Sequence, residues 1–449
     1  MKRWPAIICL IAGFSLSASS QQNPLLAPTP PMGWNSWDSY GLTITEAEFK
    51  ANVNWLHQHL QPSGWQYVVV DEGWYLAHPE NADKKDADEG YTLSPDGLYL
   101  PAPNRFPSSA NNLGLKPLAD YAHSLGLKFG IHIIRGIPKQ AVEKDLPIAG
   151  STYHASEAAD QTDLCRWNPD NYGVKDNAAG QAYYDAMARL YASWGVDFLK
   201  VDCISQPYDA HEIHMVSAAL NKSGRPIVLS LSPGPTPLDQ AADVRLYAQM
   251  WRISDDMWDV WSKKPDESGF PQSLKSQFSL ISRWAPHVEP GHWPDADMLP
   301  IGYLGPRPGW GEARQSRFTL GDTRTILTLW SIARSPLVLG TNLPLMDAQI
   351  EAMVTNPEVI AVDQRSTGNR PVVETPNTII WTALLDNTHL VAVFNVSDYP
   401  ATITEPWKAL GLEKSSYRVR DLWQREELGT QSTLSISVPA HGSYLLGLR

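Results

Sequence analysis

Short apolar runs recur along the first three quarters of the chain, each introduced by a glycine and closed by a polar group. Gly64-Trp65-Gln66-Tyr67-Val68-Val69-Val70-Asp71 is one. Gly126-Leu127-Lys128-Phe129-Gly130-Ile131-His132 is a second, and Gly195-Val196-Asp197-Phe198-Leu199-Lys200-Val201-Asp202 a third. The glycine suits the left-handed position after a helix. The run that follows is too short for a helix and apolar on both faces, as a parallel strand covered by helices must be. Between the runs the spacing turns helical. Phe49, Val53, Leu56 and Leu60 share one face over 46–60, behind the capping-box pair Thr45 and Glu48. Leu118, Tyr121, Ala122 and Leu125 follow Pro117, and another helix is expected over about 181–194. A first strand breaks into an aromatic loop within PPMGWNSWDSYG, residues 30–41. Residues 226–231 and 246–251 read as a fifth and a sixth strand, a segment near Trp293 as a seventh, and 336–340 as an eighth.

Eight such strands alternating with helices predict a (β/α)8 barrel. A doubly wound sheet would need a glycine-rich phosphate loop after its first strand, and GWNSW is not one. The barrel is expected over 25–365. From about residue 371 the period changes to short alternating runs split by polar turns, which predicts a C-terminal antiparallel β-sandwich domain over 370–449. Residues 77–105 are polar and rich in Pro, Asp and Asn; so long an insertion is expected to shape the cleft.

Composition narrows the function. Across 449 residues, 36 Lys and Arg stand against 48 Asp and Glu, a net charge of −12. An acidic surface repels phosphate backbones, so no nucleic-acid partner is expected. The 18 Trp and 17 Tyr are core residues by default, yet the same rings stack on sugar faces. Lys2 and Arg3, an apolar run over 6–16 and the small residues Ala18, Ser19 and Ser20 read as a signal peptide over 1–20. The mature protein is then secreted, extracellular or periplasmic, with no membrane association after cleavage. Cys9 leaves with the signal. Cys165 and Cys203 remain, either as one disulfide in an oxidising compartment or as two buried thiols.

Strand ends at one rim of a parallel barrel carry the chemistry of that fold. Trp37, Asp71, Glu72, His132, Lys200, Asp202, Arg252, Asp256 and Asp297 all fall at or near such ends. Paired carboxylates are the tool for glycoside hydrolysis, one as acid and one as nucleophile or base. Asp202 is either that nucleophile or a strand-end partner of Lys200. Asp255, Asp256 and Asp259 compete for the second role, with helix capping an alternative for Asp255. His211 and His214 lack a third ligand at a recognised zinc spacing, so neither metal nor other cofactor is expected.

With these pieces in order, the chain resembles glycoside hydrolase family 27, the α-galactosidase and α-N-acetylgalactosaminidase family, which includes β-L-arabinopyranosidases. PPMGWNSW, VVVDEGW, LKVDC, WRISDDMWDVW, HWPDADML and SPLVLGTNL carry the resemblance. It implies a retaining exo-hydrolase releasing terminal α-D-galactose from an oligo- or polysaccharide. Asp202 would be the nucleophile and Asp256, five residues after Trp251, the acid/base. Trp37, Asp71, Glu72, Lys200, Arg252 and Asp297 would bind the sugar, and Cys165 would pair with Cys203. Three departures bear on specificity. Glu72 stands where the family carries a second Asp, and its extra methylene would crowd the carbon-6 hydroxymethyl. β-L-Arabinopyranose has the α-galactose ring configuration without that group, so a β-L-arabinopyranosidase is the alternative. His132 replaces a common Tyr. Ser232 and Gly234 are small at the loop that reads carbon 2, which keeps α-N-acetylgalactosaminidase open. A non-hydrolytic sugar-binding barrel is the rival of a different class.

Overall fold

A computed structural model of the chain describes residues 25–82, 84, 88–263, 270–305 and 312–449; the expected signal segment and Cys9 lie outside these. Eight strands form the barrel: β1 Met32–Asn35, β2 Tyr67–Val70, β3 Lys128–Ile134, β4 Phe198–Asp202, β5 Val228–Leu231, β6 Met250–Arg252, β7 Trp293–Asp295 and β8 Leu337–Leu339. They neighbour one another in chain order, all parallel, with β8 beside β1. The ring closes just past β7, where the Leu299 amide donates to the Val338 carbonyl (2.7 Å) and the Gly340 amide to the Leu299 carbonyl (3.2 Å). The expected barrel is therefore present.

The recurring glycines do what the pattern requires. Gly64, Gly126 and Gly195 have φ of 97°, 73° and 86°, turning the chain from helix into strand. Helix α1, Glu46–His59, opens with the Thr45–Glu48 capping box. Helices α2 Lys116–Ser124, α3 Ala178–Trp194 and α4 Ala210–Lys222 cover the next strands. The sixth strand is shorter than expected. Residues 241–247 form helix α5, Ala241–Tyr247, with Leu246 exposed, and the strand is only Met250–Arg252, paired with β5 through Met250 and Trp251. In the insertion, Arg105 is buried and donates to the carbonyls of Leu42, Ile44, Gly73 and Leu76 at 2.5–2.9 Å. One cation thus ties the insertion to the loops after β1 and β2.

The C-terminal strands are β9 Thr367–Glu374, β10 Thr378–Leu385, β11 Thr388–Asn395, β12 Ala401–Glu405, β13 Tyr417–Asp421, β14 Glu426–Gln431, β15 Leu434–Val438 and β16 Ser443–Leu448. A six-stranded antiparallel sheet runs β9-β10-β11-β16-β13-β14, and β12 pairs with β15. Ile380, Val391, Val393, Ile403, Trp407, Tyr417, Val419, Leu434 and Leu446 fill the space between the two layers. The other face of the larger sheet meets the barrel. There lies helix α6, Leu274–Trp284, whose Phe278 meets Phe394 edge-on at 5.0 Å. Helix α7, Leu320–Ala333, is buried along almost its whole length. Its Thr325 hydroxyl donates to the His441 carbonyl (2.7 Å), and Trp423 donates its indole N–H to Thr328 Oγ1 (2.9 Å). Among the described residues no helix is long and apolar enough to cross a membrane.

Candidate active site

The carboxyl ends of the strands open into a cleft of about 780 Å³ lined by Trp37, Asp71, Glu72, Lys200, Asp202, Ser232, Arg252, Asp256 and Asp297, among others. Each backbone position follows from a strand end, so the rim gathers residues far apart in sequence. Asp202 ends β4. Its Oδ2 lies 3.2 Å from His132 Nε2 on β3, and its Oδ1 accepts the Cys203 amide. His132 is buried beside the cleft floor. Burial alone would lower its pKa, but the charges of Asp71 and Asp202 outweigh it and raise the ring above its ordinary value. Lys200, two residues before Asp202, donates to Asp71 Oδ2 at 2.9 Å. Burial again opposes the charge, while Asp71 and Asp202 hold the ammonium firmly protonated.

Asp71 also accepts from Asn35 Nδ2 (2.6 Å) and the Glu72 amide (2.9 Å). Burial works against this carboxylate, yet His132, Lys200 and these bonds keep it well below the usual range. Glu72 behaves oppositely. Burial, with Asp202 and Asp71 adding to it, pushes its carboxyl up to about 7, against the pull of His132 and a hydrogen bond from Asn168. Two adjacent acids on one loop are thus pushed in opposite directions.

Across the cleft, Arg252 at the end of β6 pairs with Asp297 (2.8 Å) and Asp256 (3.1 Å). Asp297 accepts the Met257 and Met298 amides, both at 2.7 Å. The three candidate acids of the 251–261 segment separate here. Asp255 and Asp256 line the cleft. Asp259 is buried away from it, paired with Arg314 and accepting the Arg317 amide (2.6 Å). No helix begins at Met257, so Asp255 caps none. The Asp202 side chain is 16% exposed and that of Asp256 38%, one deep in the cleft and one at its mouth. Cys165 and Cys203 form a disulfide, which ties the loop bearing Trp167 and Asn168 to the residue after Asp202.

Residues 170–365 match the family model for alpha galactosidase A, and 375–448 match the alpha galactosidase C-terminal beta sandwich domain. The chain is 30% identical to alpha-galactosidase 3 of Arabidopsis thaliana, over 96% of this chain and 84% of that protein. It is 26% identical to alpha-galactosidase A of Cellvibrio japonicus, over 97% and 95% of the two chains. A solved family 27 β-L-arabinopyranosidase from Geobacillus stearothermophilus is 43% identical and superposes with a TM-score of 0.88, over 94% of this chain and 96% of that one. The chain belongs to glycoside hydrolase family 27.

Within this family 27 hydrolase the rim also holds residues that sequence reasoning passed over. Asn168 donates Nδ2–H to Glu72 Oε1 at 2.7 Å, and Trp167, Trp258 and Asp38 line the cleft. Asp38 lies inside the quoted PPMGWNSWDSYG stretch and could have been flagged as an acid beside a strand end. Asn168 gave no signal except its place three residues after Cys165. The smallness of Gly234 has a local cause. A Cβ there would lie 2.4 Å from the Ser254 carbonyl oxygen, and Ser232 and Pro233, not Gly234, line the cleft. His211 and His214 point to different acids, Asp176 and Asp243. The one group among the described residues whose acidic ligand atoms lie close enough together to hold a metal, Asp163, Asp209 and Glu212, encloses the Arg135 guanidinium, 2.7 Å from Asp163 and 2.6 Å from Glu212.

Proposed function

We propose that this family 27 hydrolase is a secreted, retaining, exo-acting β-L-arabinopyranosidase, acting on terminal β-L-arabinopyranosyl groups of oligo- or polysaccharides. Asp202 attacks the anomeric carbon while Asp256 protonates the leaving oxygen. Water then hydrolyses the glycosyl-enzyme with Asp256 as base. The deep Asp202, held between His132 and the Cys203 amide, and the more exposed Asp256 beside Arg252 support this division of roles. Trp37, Asp71, Glu72, Lys200, Ser232, Arg252 and Asp297 hold the sugar. Export is supported by the basic and apolar start of the sequence together with the Cys165–Cys203 bridge.

The observation that carries the choice of sugar is Glu72, a longer acid where the family has Asp, fixed on the cleft wall by Asn168. Its extra methylene disfavours a carbon-6 hydroxymethyl and tolerates the arabinopyranose that lacks one. α-Galactosidase is the second reading, favoured by the family model and by the curated relatives that match. The test is kcat/KM on matched nitrophenyl β-L-arabinopyranoside and α-D-galactopyranoside. Wild type should prefer the arabinoside, and Glu72→Asp should move the ratio towards galactoside by roughly 10–200-fold, the worth of a methylene in a pocket. A wild type that prefers galactoside sinks the arabinoside reading. Asp202→Asn should abolish turnover of both, and retained activity would remove Asp202 from the mechanism.

A further inference from the structure

We propose that Asn168 is a specificity-determining positioning residue, which fixes the rotamer of Glu72 and thereby sets how strongly the pocket rejects a carbon-6 substituent. The inference rests on the substrate reading above and extends it to a residue outside the family motifs. Asn168 is buried, and its two amide atoms face different partners. Oδ1 accepts the Asp170 amide at 3.0 Å, which fixes the orientation of the side-chain amide. Nδ2 must then face Glu72, to whose Oε1 it donates at 2.7 Å. The loop that presents Asn168 is itself anchored, because Cys165 is bonded to Cys203 beside Asp202. Of the neighbours acting on the Glu72 carboxyl, Asp71 and Asp202 repel it and His132 attracts it. Without Asn168 its Oε1 loses a directional partner, and the side chain is free to rotate out of the space a hydroxymethyl would fill.

A shorter acid at 72 would not reach Asn168 in the same way, which makes the two positions a double-mutant pair. The ratio of kcat/KM for nitrophenyl arabinopyranoside to galactopyranoside is measured in wild type, Asn168→Ala, Glu72→Asp and the double variant. Asn168→Ala alone should lower the ratio by up to about tenfold, the scale of one buried hydrogen bond. In the Glu72→Asp background it should change the ratio by less than about twofold. An equal change in both backgrounds, or none in either, overturns the proposal. Asn168→Asp guards against a folding defect and gives a readout that mere loop support does not predict. At low pH the protonated carboxyl introduced at position 168 can still donate to Glu72; as pH rises, the two acids repel. The ratio should therefore fall with pH in this variant more steeply than in wild type, and an unchanged profile also overturns the proposal. A wild type that prefers galactoside refutes the substrate reading alone, since the coupling between 168 and 72 is still read from the same cycle.

Discussion

Replacing Glu72 with Gln should stabilise the protein, and increasingly so as pH rises. The group is a carboxyl whose folded pKa lies above its ordinary value, moved from 4.5 to about 7, chiefly by burial. Between those two pH values the folded chain holds a proton that the unfolded chain has released. Stability therefore declines as pH rises through that window, and below it the group is neutral in both states. At about 1.36 kcal/mol per pH unit, ionising Glu72 costs the folded state roughly 3 kcal/mol by pH 8 and under about 1 kcal/mol at pH 5. Gln keeps the oxygen that accepts from Asn168 and removes the titration. For a chain of this length the unfolding entropy is roughly 1 kcal/mol/K, so the advantage of Glu72→Gln over wild type should grow by about 2–3 °C in Tm from pH 5 to pH 8. Calorimetry of the two proteins in matched buffers reads this directly. A Tm difference that is flat with pH, or that shrinks as pH rises, would refute the burial argument and place the Glu72 carboxylate in an environment that tolerates its charge.

Two other outcomes follow from the architecture. Cys165→Ser opens a loop spanning 38 residues and should lower stability by about 4 kcal/mol on the chain-entropy scale; a denaturant midpoint unchanged from wild type would contradict this. Asp259→Asn leaves the partly exposed Arg314 without its buried partner and should destabilise by about 1–3 kcal/mol, lowering kcat as the 251–261 segment loosens. Thermal unfolding and steady-state kinetics on one preparation would show whether the two losses appear together.

The barrel was legible because its strands are buried on both faces and its turns need glycine, and both facts are written in residue type. The polar ends of β2 and β4 put Asp71, Lys200 and Asp202 on the candidate rim for the same reason, while β3 runs on past His132 to Ile134 and buries that ring beside the cleft. Strand β6 was misjudged because only three residues pair, too few to carry a period, and the apolar Leu246 before it turned out to be exposed on a helix. In the C-terminal domain the alternating runs at 378–384, 390–396, 417–421, 434–438 and 444–448 correspond to β10, β11, β13, β15 and β16, while β9, which contains Pro371, the short β12 and the almost wholly exposed β14 were missed. An edge strand needs neither a full ladder nor an alternating apolar face. Asn168 was invisible for a different reason. Its partner is 96 residues away, and nothing in local pattern records a contact made only when a cross-linked loop folds over the rim.

The C-terminal sheet does more than cap the barrel. Trp261 closes the segment that carries Arg252 and Asp256, and its ring lies flat on His441 at 3.9 Å and 13°, in the turn before the last strand. The same turn takes the Thr325 hydroxyl from α7. The acid-bearing loop is thus clamped between the two halves of the molecule, and the boundary near residue 370 is not a place to cut. A shortened enzyme ending there would bare the long buried face of α7 and release the wall of the cleft that carries Asp256. For anyone trimming, fusing or shuffling this protein, the sandwich belongs to the catalytic unit, and the segment worth altering is the almost wholly exposed β14.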